Sequence, residues 1–283
     1  MLGVSRKRSV HVNSPQYWKP LDLGDSEGFQ KILEQFRPDI VVHAAALASV
    51  DECEIDPARA FVQNVEISER LAMLVQRASS RFVFISTDAF FDVDGQAALE
   101  KDIPRPCNVY GESKAEAEKR IAVACPGALI VRTNFFGWSG SPAASGTGIV
   151  DWLVGSLKAE KPIPLFADVE FCPLYVRTLV EAILELSDQG RSGIVHLLGS
   201  DRVSKHDFGL MVAAELGSGI SHVFSAAISS ADLRAKRSKR MWLSNALSRQ
   251  WLPHFDFSLA TSVQRLAADM GDYRDELFRM LSA

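Results

Sequence analysis

The sequence lacks the features of several protein classes. Its four cysteines form no Cys-x-x-Cys pair and have no histidine at metal-ligand spacing, so we expect free thiols in a reducing compartment. No stretch approaches the roughly 18 apolar residues of a membrane span, and residues 1–12 lack the apolar run of a signal peptide. The net charge of -4 does not favour a polyanion partner. We therefore expect a cytoplasmic protein with neither a nucleic-acid nor a membrane partner.

What is present is an alternation of short apolar runs and helical patterns in the first half of the chain. The runs are apolar at almost every position, which is typical of parallel strands buried on both faces of a sheet. Helices between such strands indicate a doubly wound α/β fold, with ligands at the carboxyl ends of the strands. The predicted strands are 39–43, 81–86 and 128–131, and the predicted helices are 27–36, 58–78 and 108–124.

The pattern changes after residue 134. Residues 137–148 are rich in Gly, Ser, Pro and Ala, which is typical of a loop. We expect residues 1–134 to form a nucleotide-binding sheet domain and residues 135–283 to form a smaller substrate-binding region. Part of the second region, about 168–200, is expected to pack back on the sheet. Its predicted elements are helices 149–160, 176–186, 205–216 and 259–270 and a short strand 194–197.

One group of polar residues follows the strand 81–86. Thr87 lies at the strand end, and Tyr110 and Lys114 are spaced i,i+4 on a predicted helix, so both project from one face. A lysine ammonium near a tyrosine lowers the pKa of the phenol and makes it a better acid–base catalyst. Together with the Thr87 hydroxyl, it would deliver a proton to a carbonyl oxygen while a hydride arrives at the carbon. A helix cap and a solvated helix face are the alternatives.

Five segments carry a family resemblance. Residues 84–92 (FISTDAFFD) and 104–114 (PRPCNVYGESK) resemble the extended short-chain dehydrogenases/reductases, most of all dTDP-4-dehydrorhamnose reductases. Residues 38–46 (PDIVVHAAA), Asn64 and residues 131–134 (VRTN) belong to the same pattern. Asn64 matches a helix asparagine of structural or relay importance, and a buried amide bonded to backbone is the equal alternative. The resemblance extends over about residues 20–200.

The resemblance implies roles for five residues. Thr87, Tyr110 and Lys114 would be the catalytic hydroxyl, the acid and the lysine that activates the tyrosine. Lys114 would also bind the nicotinamide ribose. Asp88 and Asn134 would face the substrate sugar.

The resemblance also implies a cofactor site. Asp22 and Leu23 match the pair that lies beside the adenine. Ala44, Ala45 and Ala46 match a tight turn whose small side chains let the backbone approach the cofactor.

The N-terminal basic residues bear on the choice of cofactor. If residues 1–4 are the family's second strand, Arg6 and Arg8 lie where a basic residue accepts the 2′-phosphate of NADP. NADPH is then the expected cofactor, with NADH as the alternative. A frayed basic terminus is the competing interpretation.

The sequence departs from the family in two places. The family's first strand and its Gly-x-x-Gly-x-x-Gly turn, which hold the pyrophosphate, are absent. Three explanations of this absence remain open. The chain is a shortened record of a normal enzyme, or a remnant that no longer binds cofactor, or a protein whose missing strand is supplied by a partner. We favour the first, because Thr87, Tyr110 and Lys114 are all present. In the second place, the basic residues 236–240 lack the proline of the family's Arg-Pro element.

The prediction is an NADPH-dependent reductase of a nucleotide-linked 4-keto sugar. Two alternatives are a non-catalytic NADP-binding subunit, similar to the regulatory subunit of methionine adenosyltransferase, and a sugar-nucleotide epimerase. Short-chain dehydrogenases commonly pair through helices, so a homodimer is compatible with the resemblance.

Overall fold

The computed structural model describes residues 1–6, 18–138, 148–217 and 219–271. Its main sheet has four parallel strands in the order β10-β5-β4-β3. Crossover helices separate these strands along the chain, which confirms the doubly wound α/β class predicted from the sequence. The strands are β3 (Ile40–His43), β4 (Arg81–Ile85), β5 (Leu129–Arg132) and β10 (Gly193–His196).

A separate pair of parallel strands lies before this sheet in the chain. β1 (Gly3–Ser5) pairs with β2 (Trp18–Pro20), and among the described residues neither is hydrogen-bonded to β3. β3 is therefore the edge of the main sheet, and Val42 on it is 47% exposed. A strand at Gly3–Ser5 agrees with one of the two interpretations of the N-terminal residues.

The remaining strands form three small sheets. A parallel pair joins β6 (Phe135–Phe136) to β9 (Leu174–Tyr175), and another joins β7 (Ile163–Phe166) to β12 (Val223–Ala226). In the third sheet, a central strand pairs antiparallel with one neighbour and parallel with the other. Its order is β11 (Val203–Ser204), β8 (Glu170–Phe171) and β13 (Arg240–Met241).

The predicted helices are found within a few residues of their expected positions, and the structure adds two short ones, Val50–Ile55 and Ala246–Trp251. The helices are α1 (Ser26–Phe36), α2 (Val50–Ile55), α3 (Pro57–Phe61), α4 (Ile67–Arg77), α5 (Val109–Ala124), α6 (Ile149–Lys158), α7 (Val176–Asp188), α8 (Lys205–Glu215), α9 (Ala246–Trp251) and α10 (Leu259–Ala268). The predicted long helix 58–78 is wrong in one respect: a π-helical turn, Val62–Glu66, separates α3 from α4.

The main sheet is covered on both faces, as its apolar strands require. On one side Phe82, Phe84 and Ile130 pack against α1, α4 and α5. On the other side Val83 and Val131 pack against α7. Because β10 lies after residue 135 and pairs with β5, part of the C-terminal half completes this sheet.

The C-terminal region has a core of its own. Phe136, Phe171 and Phe208 are buried there, with the ring of Phe208 edge-on to both others at 4.9 and 5.4 Å between centroids. This core holds β6, β8 and α8 over the carboxyl ends of the main strands. None of the helices that the described residues form could cross a bilayer, and no metal-ligand cluster occurs among these residues.

Candidate active site

A cavity of about 690 Å³ opens at the carboxyl ends of β3, β4 and β5. The structure brings together there all five residues predicted for catalysis and for the sugar: Thr87, Asp88, Tyr110, Lys114 and Asn134. This is the edge at which open α/β sheets bind ligands.

Tyr110 enters the cavity from the first turn of α5. Asn108 caps this helix, since its Oδ1 accepts a hydrogen bond from the Gly111 amide at 2.8 Å. The Nδ2 of the same residue donates to the Lys236 carbonyl at 2.8 Å, which ties the helix start to the C-terminal region. Tyr110 and Thr87 line the same cavity, and the Thr87 side chain lies near enough to the Tyr110 hydroxyl to lower its pKa. The acid and the hydroxyl predicted from the sequence are therefore neighbours.

Lys114 lies one turn further along α5 and is buried. Its Nζ donates a hydrogen bond to the Ile85 carbonyl at 2.7 Å and lies 3.9 Å from the centroid of the Phe84 ring. Burial lowers the pKa of Lys114 to about 7, and the nearby Glu118 carboxylate opposes that shift. The lysine is thus poised between its charged and neutral forms near neutral pH.

The pKa of Tyr110 differs from the sequence prediction. Burial raises it to about 12, the Asp88 and Cys53 charges add to the rise, and only the hydrogen bond with Thr87 lowers it. The expected lowering of this pKa is therefore wrong for this structure, because the effect of burial dominates. Tyr110 is therefore a protonated phenol at neutral pH, which is the form that donates a proton.

Asn64 forms hydrogen bonds that connect the loop after β3 to the helix that carries Tyr110. Its Oδ1 accepts from the Leu47 amide at 2.8 Å, and its Nδ2 donates to the Leu47 carbonyl at 3.2 Å and to Ser113 Oγ at 2.9 Å. Asn64 lies in the π-helical turn, whose extra residue per turn directs this side chain between the loop after β3 and α5. This position is compatible with both interpretations of Asn64, a structural or relay asparagine and a buried amide bonded to backbone.

The same cavity contains Lys205, a residue that the sequence did not predict for the site. Asn134 Nδ2 donates to Asp88 Oδ2 at 2.9 Å, and Lys205 lines the same cavity from the start of α8. Burial raises the pKa of Asp88 and lowers that of Lys205, while the attraction between the two charges opposes both shifts. No local motif marks Lys205, since only the tertiary fold brings α8 to the end of β4.

A second cavity, of about 810 Å³, lies between β1 and β3. All the predicted adenine and turn residues within the described part of the chain line it: Arg6, Asp22, Leu23, Ala44, Ala45 and Ala46. Arg8 lies outside the described residues. Ala44 and Ala46 line both cavities, so the two are adjacent.

These cavities fit the two ends of a dinucleotide. The methyl groups of Ala44 and Ala46 leave space where the cavities meet, and Lys114 and Tyr110 lie at the far end. Asp22 is partly engaged, since its Oδ1 accepts a hydrogen bond from the Gly24 amide at 2.9 Å. The residues predicted for the adenosine and nicotinamide-ribose ends thus line these two cavities, and the described residues contain no Gly-x-x-Gly-x-x-Gly turn for the pyrophosphate.

Three of the four basic residues in 236–240 form ion pairs within the chain. Arg237 pairs with Asp51 at 3.0 Å, and Lys239 pairs with Asp168 at 2.9 Å. Arg240 also pairs with a carboxylate. These ion pairs connect the segment to the rest of the protein.

Comparisons with known proteins identify the family of the chain. The family described as "RmlD substrate binding domain" matches residues 3–269. The chain belongs to this family. It is 30% identical over 239 residues to the probable low-salt glycan biosynthesis reductase Agl14 of Haloferax volcanii, covering 83% of this chain and 80% of that protein. It is 29% identical to a dTDP-4-dehydrorhamnose reductase of Aggregatibacter actinomycetemcomitans, covering 69% of this chain and 67% of that protein.

The solved structures support the fold. The dTDP-4-dehydrorhamnose reductase of Bacillus anthracis, solved in complex with NADP, superposes with a TM-score of 0.82 at 22% identity. The match covers 95% of this chain and 98% of that one. The resemblance to extended short-chain dehydrogenases, stated from the sequence, is confirmed by membership of the RmlD family.

Proposed function

We propose that the protein catalyses the NADPH-dependent reduction of a nucleotide-linked 4-keto sugar, as its relatives named dTDP-4-dehydrorhamnose reductase do. The observation that carries this proposal is the placement of Thr87, Tyr110 and Lys114 together in one cavity of a protein of the RmlD family. Family membership and named relatives support the reaction class, and the site geometry supports the roles.

The catalytic chemistry follows from the protonation states. NADPH supplies the hydride to the carbonyl carbon when it is bound. Tyr110, a neutral phenol because its pKa is about 12, donates a proton to the carbonyl oxygen. Thr87 holds that oxygen by its hydroxyl and is itself positioned by accepting a hydrogen bond from the Ala89 amide at 3.1 Å. Lys114 binds the nicotinamide ribose and, when charged, favours the phenolate that proton transfer leaves.

The binding roles divide between the two parts of the chain. Residues 1–134 hold NADPH, with NADH as the alternative cofactor. Asp22 and Leu23 lie beside the adenine, and Arg6 lies near the ribose phosphate. The alanines 44–46 lie along the cofactor. Residues 135–283, with the segment about 168–200 packed on the sheet, bind the nucleotide sugar. Asp88 and Asn134 contact the sugar.

The assignment of Tyr110 is tested by Tyr110→Phe, which removes only the hydroxyl. Oxidation of NADPH with a dTDP-4-keto sugar should fall by about 10²–10⁴-fold, the usual contribution of a general acid. Tyr175→Phe is the matched control, because the hydroxyl of Tyr175 is bonded to Asp269 and not to Thr87. Residual turnover within tenfold of wild type in Tyr110→Phe would refute the assignment. Nucleotide binding with no turnover by the wild type would favour the regulatory-subunit alternative.

A further inference from the structure

Lys205 extends from the first turn of α8 into the catalytic cavity. Ser204 caps this helix, its Oγ accepting from the Asp207 amide at 2.9 Å, so the position of Lys205 is set by the helix start. The ammonium lies 3.2 Å from the centroid of the Phe171 ring, which belongs to the buried core. Within the described parts of the chain, this ammonium has no hydrogen-bond acceptor and no ion-pair partner within 4 Å.

An opposite charge lies across the cavity. Asp88 is 2% exposed and directly follows Thr87, the residue that contacts the reacting oxygen. It accepts one hydrogen bond from Asn134 and faces the charge of Lys205 without contacting it. Asp88 is shielded from water and Lys205 is half-buried, so the two separated charges leave hydrogen-bonding capacity that a ligand in the cavity can satisfy.

The space between Lys205 and Asp88 favours one kind of ligand group. A hydroxyl both accepts a hydrogen bond from an ammonium and donates one to a carboxylate, so it satisfies both residues. A carbon without a hydroxyl satisfies neither residue. Because Asp88 is adjacent to Thr87, the group in question lies on the same sugar ring as the reacting carbonyl.

We propose that Lys205 and Asp88 form a specificity pair that binds a hydroxyl group of the sugar next to the reacting carbonyl and discriminates against sugars with a deoxy carbon there. This inference deepens the proposed function and rests on it. Sites that hydrogen-bond a substrate hydroxyl discriminate strongly against the analogue that lacks it, because their buried polar groups are then left unpaired.

The test compares kcat/KM for a dTDP-4-keto sugar that carries the neighbouring hydroxyl with kcat/KM for its deoxy analogue. Wild type should prefer the hydroxylated sugar by about 100-fold or more. Lys205→Met keeps a long apolar stem against Phe171 and removes the charge, and it should reduce this preference at least tenfold. Lys158→Met, at an exposed position in the last turn of α6, is the matched control and should keep the wild-type preference.

A binding measurement separates failure of this inference from failure of the proposed function. Calorimetry with the reduced dTDP-sugar and its deoxy form needs no turnover and should show the same preference in wild type and its loss in Lys205→Met. An unchanged preference in Lys205→Met would overturn the specificity pair even if the protein is a reductase. Hydroxyl-dependent binding without any turnover would support the pair and count against the reductase. If wild type binds neither nucleotide sugar, both proposals are wrong.

Discussion

The ammonium of Lys114 donates a hydrogen bond to the backbone carbonyl of Ile85, 2.7 Å away. This contact joins α5 to the last residue of β4, two residues before Thr87. Tyr110 lies one turn before Lys114 on the same helix, so one contact sets the relative positions of the acid and the hydroxyl. The active site is thus built on two rigid elements, as precise catalysis requires.

A buried ion pair continues the same network. Glu118 lies one turn after Lys114, accepts a hydrogen bond from Ser86 Oγ at 2.6 Å and pairs with Arg132 at 2.8 Å. Both members of the ion pair are at most 4% exposed. The pair therefore connects α5 to the ends of β4 and β5, behind the catalytic residues.

Glu118→Gln should destabilise the fold strongly. The substitution keeps the shape but leaves the buried charge of Arg132 uncompensated, which costs about 3–5 kcal/mol in comparable buried pairs. Urea unfolding measures the change in the free energy of unfolding. Glu116→Gln, on the partly exposed side of the same helix, should cost less than about 1 kcal/mol. Equal effects of the two substitutions would contradict the assigned role of the buried pair.

Asn64→Leu should affect both stability and turnover. It removes three hydrogen bonds and leaves the Leu47 amide and carbonyl without their side-chain partner, which costs about 1–3 kcal/mol. Ser113→Ala removes only one of the three bonds and should cost less. Because Ser113 is on the helix of Tyr110, kcat should fall more than the affinity for NADPH in Asn64→Leu. Wild-type stability and wild-type kcat in Asn64→Leu would contradict the role of Asn64 in positioning α5.

Stability should fall as the pH drops from 7 to 5. Burial, together with the charge of Lys114, lowers the pKa of His43 from 6.5 to about 3, so the folded state keeps this histidine neutral while the unfolded state binds a proton. The unfolded state is therefore favoured increasingly below pH 6.5, by about 2 kcal/mol at pH 5. Urea unfolding of His43→Gln should show a pH dependence smaller by that amount. The exposed control His254→Gln should retain the wild-type slope, and an unchanged slope in His43→Gln would contradict the account.

Arg6→Glu should shift the cofactor preference from NADPH towards NADH. Arg6 lines the cavity between β1 and β3, where a cation favours the 2′-phosphate and an anion favours the free ribose hydroxyl. The ratio of kcat/KM for NADPH to that for NADH should fall by about tenfold or more, corresponding to about 1.4 kcal/mol. Arg77→Glu, near the end of α4 and away from this cavity, is the control. A ratio that does not change would place the 2′-phosphate elsewhere.

Much of the fold could be predicted because parallel strands buried on both faces have a distinctive composition. The run ending in Phe82, Val83 and Phe84 presents alternate residues to two cores, so no polar position interrupts it. The π-helical turn at Val62–Glu66 could not be predicted, since apolar spacing before and after it is helical in either case. Short strands such as β8 and β13 are two residues long and leave no periodic signal.

The residues of the site also divide into those that the sequence predicts and those that it does not. Thr87, Tyr110 and Lys114 could be identified because their order along the chain follows from a strand end and one helix face. Lys205 could not, because its place opposite Asp88 depends on how α8 packs on Phe171, far along the chain. The pKa of Tyr110 was predicted in the wrong direction because burial, which the sequence does not reveal, outweighs the neighbouring lysine.

Deuterium transfer tests the central claim most directly. The full chain would be incubated with NADPH deuterated at the transferable position of C4 of the nicotinamide ring, together with a dTDP-4-keto sugar, and the product would be examined by NMR. The proposed reduction predicts deuterium at C4 of the product sugar, with one NADPH oxidised for each sugar reduced, and its loss in Tyr110→Phe. Inversion of a sugar carbon with no net oxidation of NADPH would instead identify an epimerase and contradict the account.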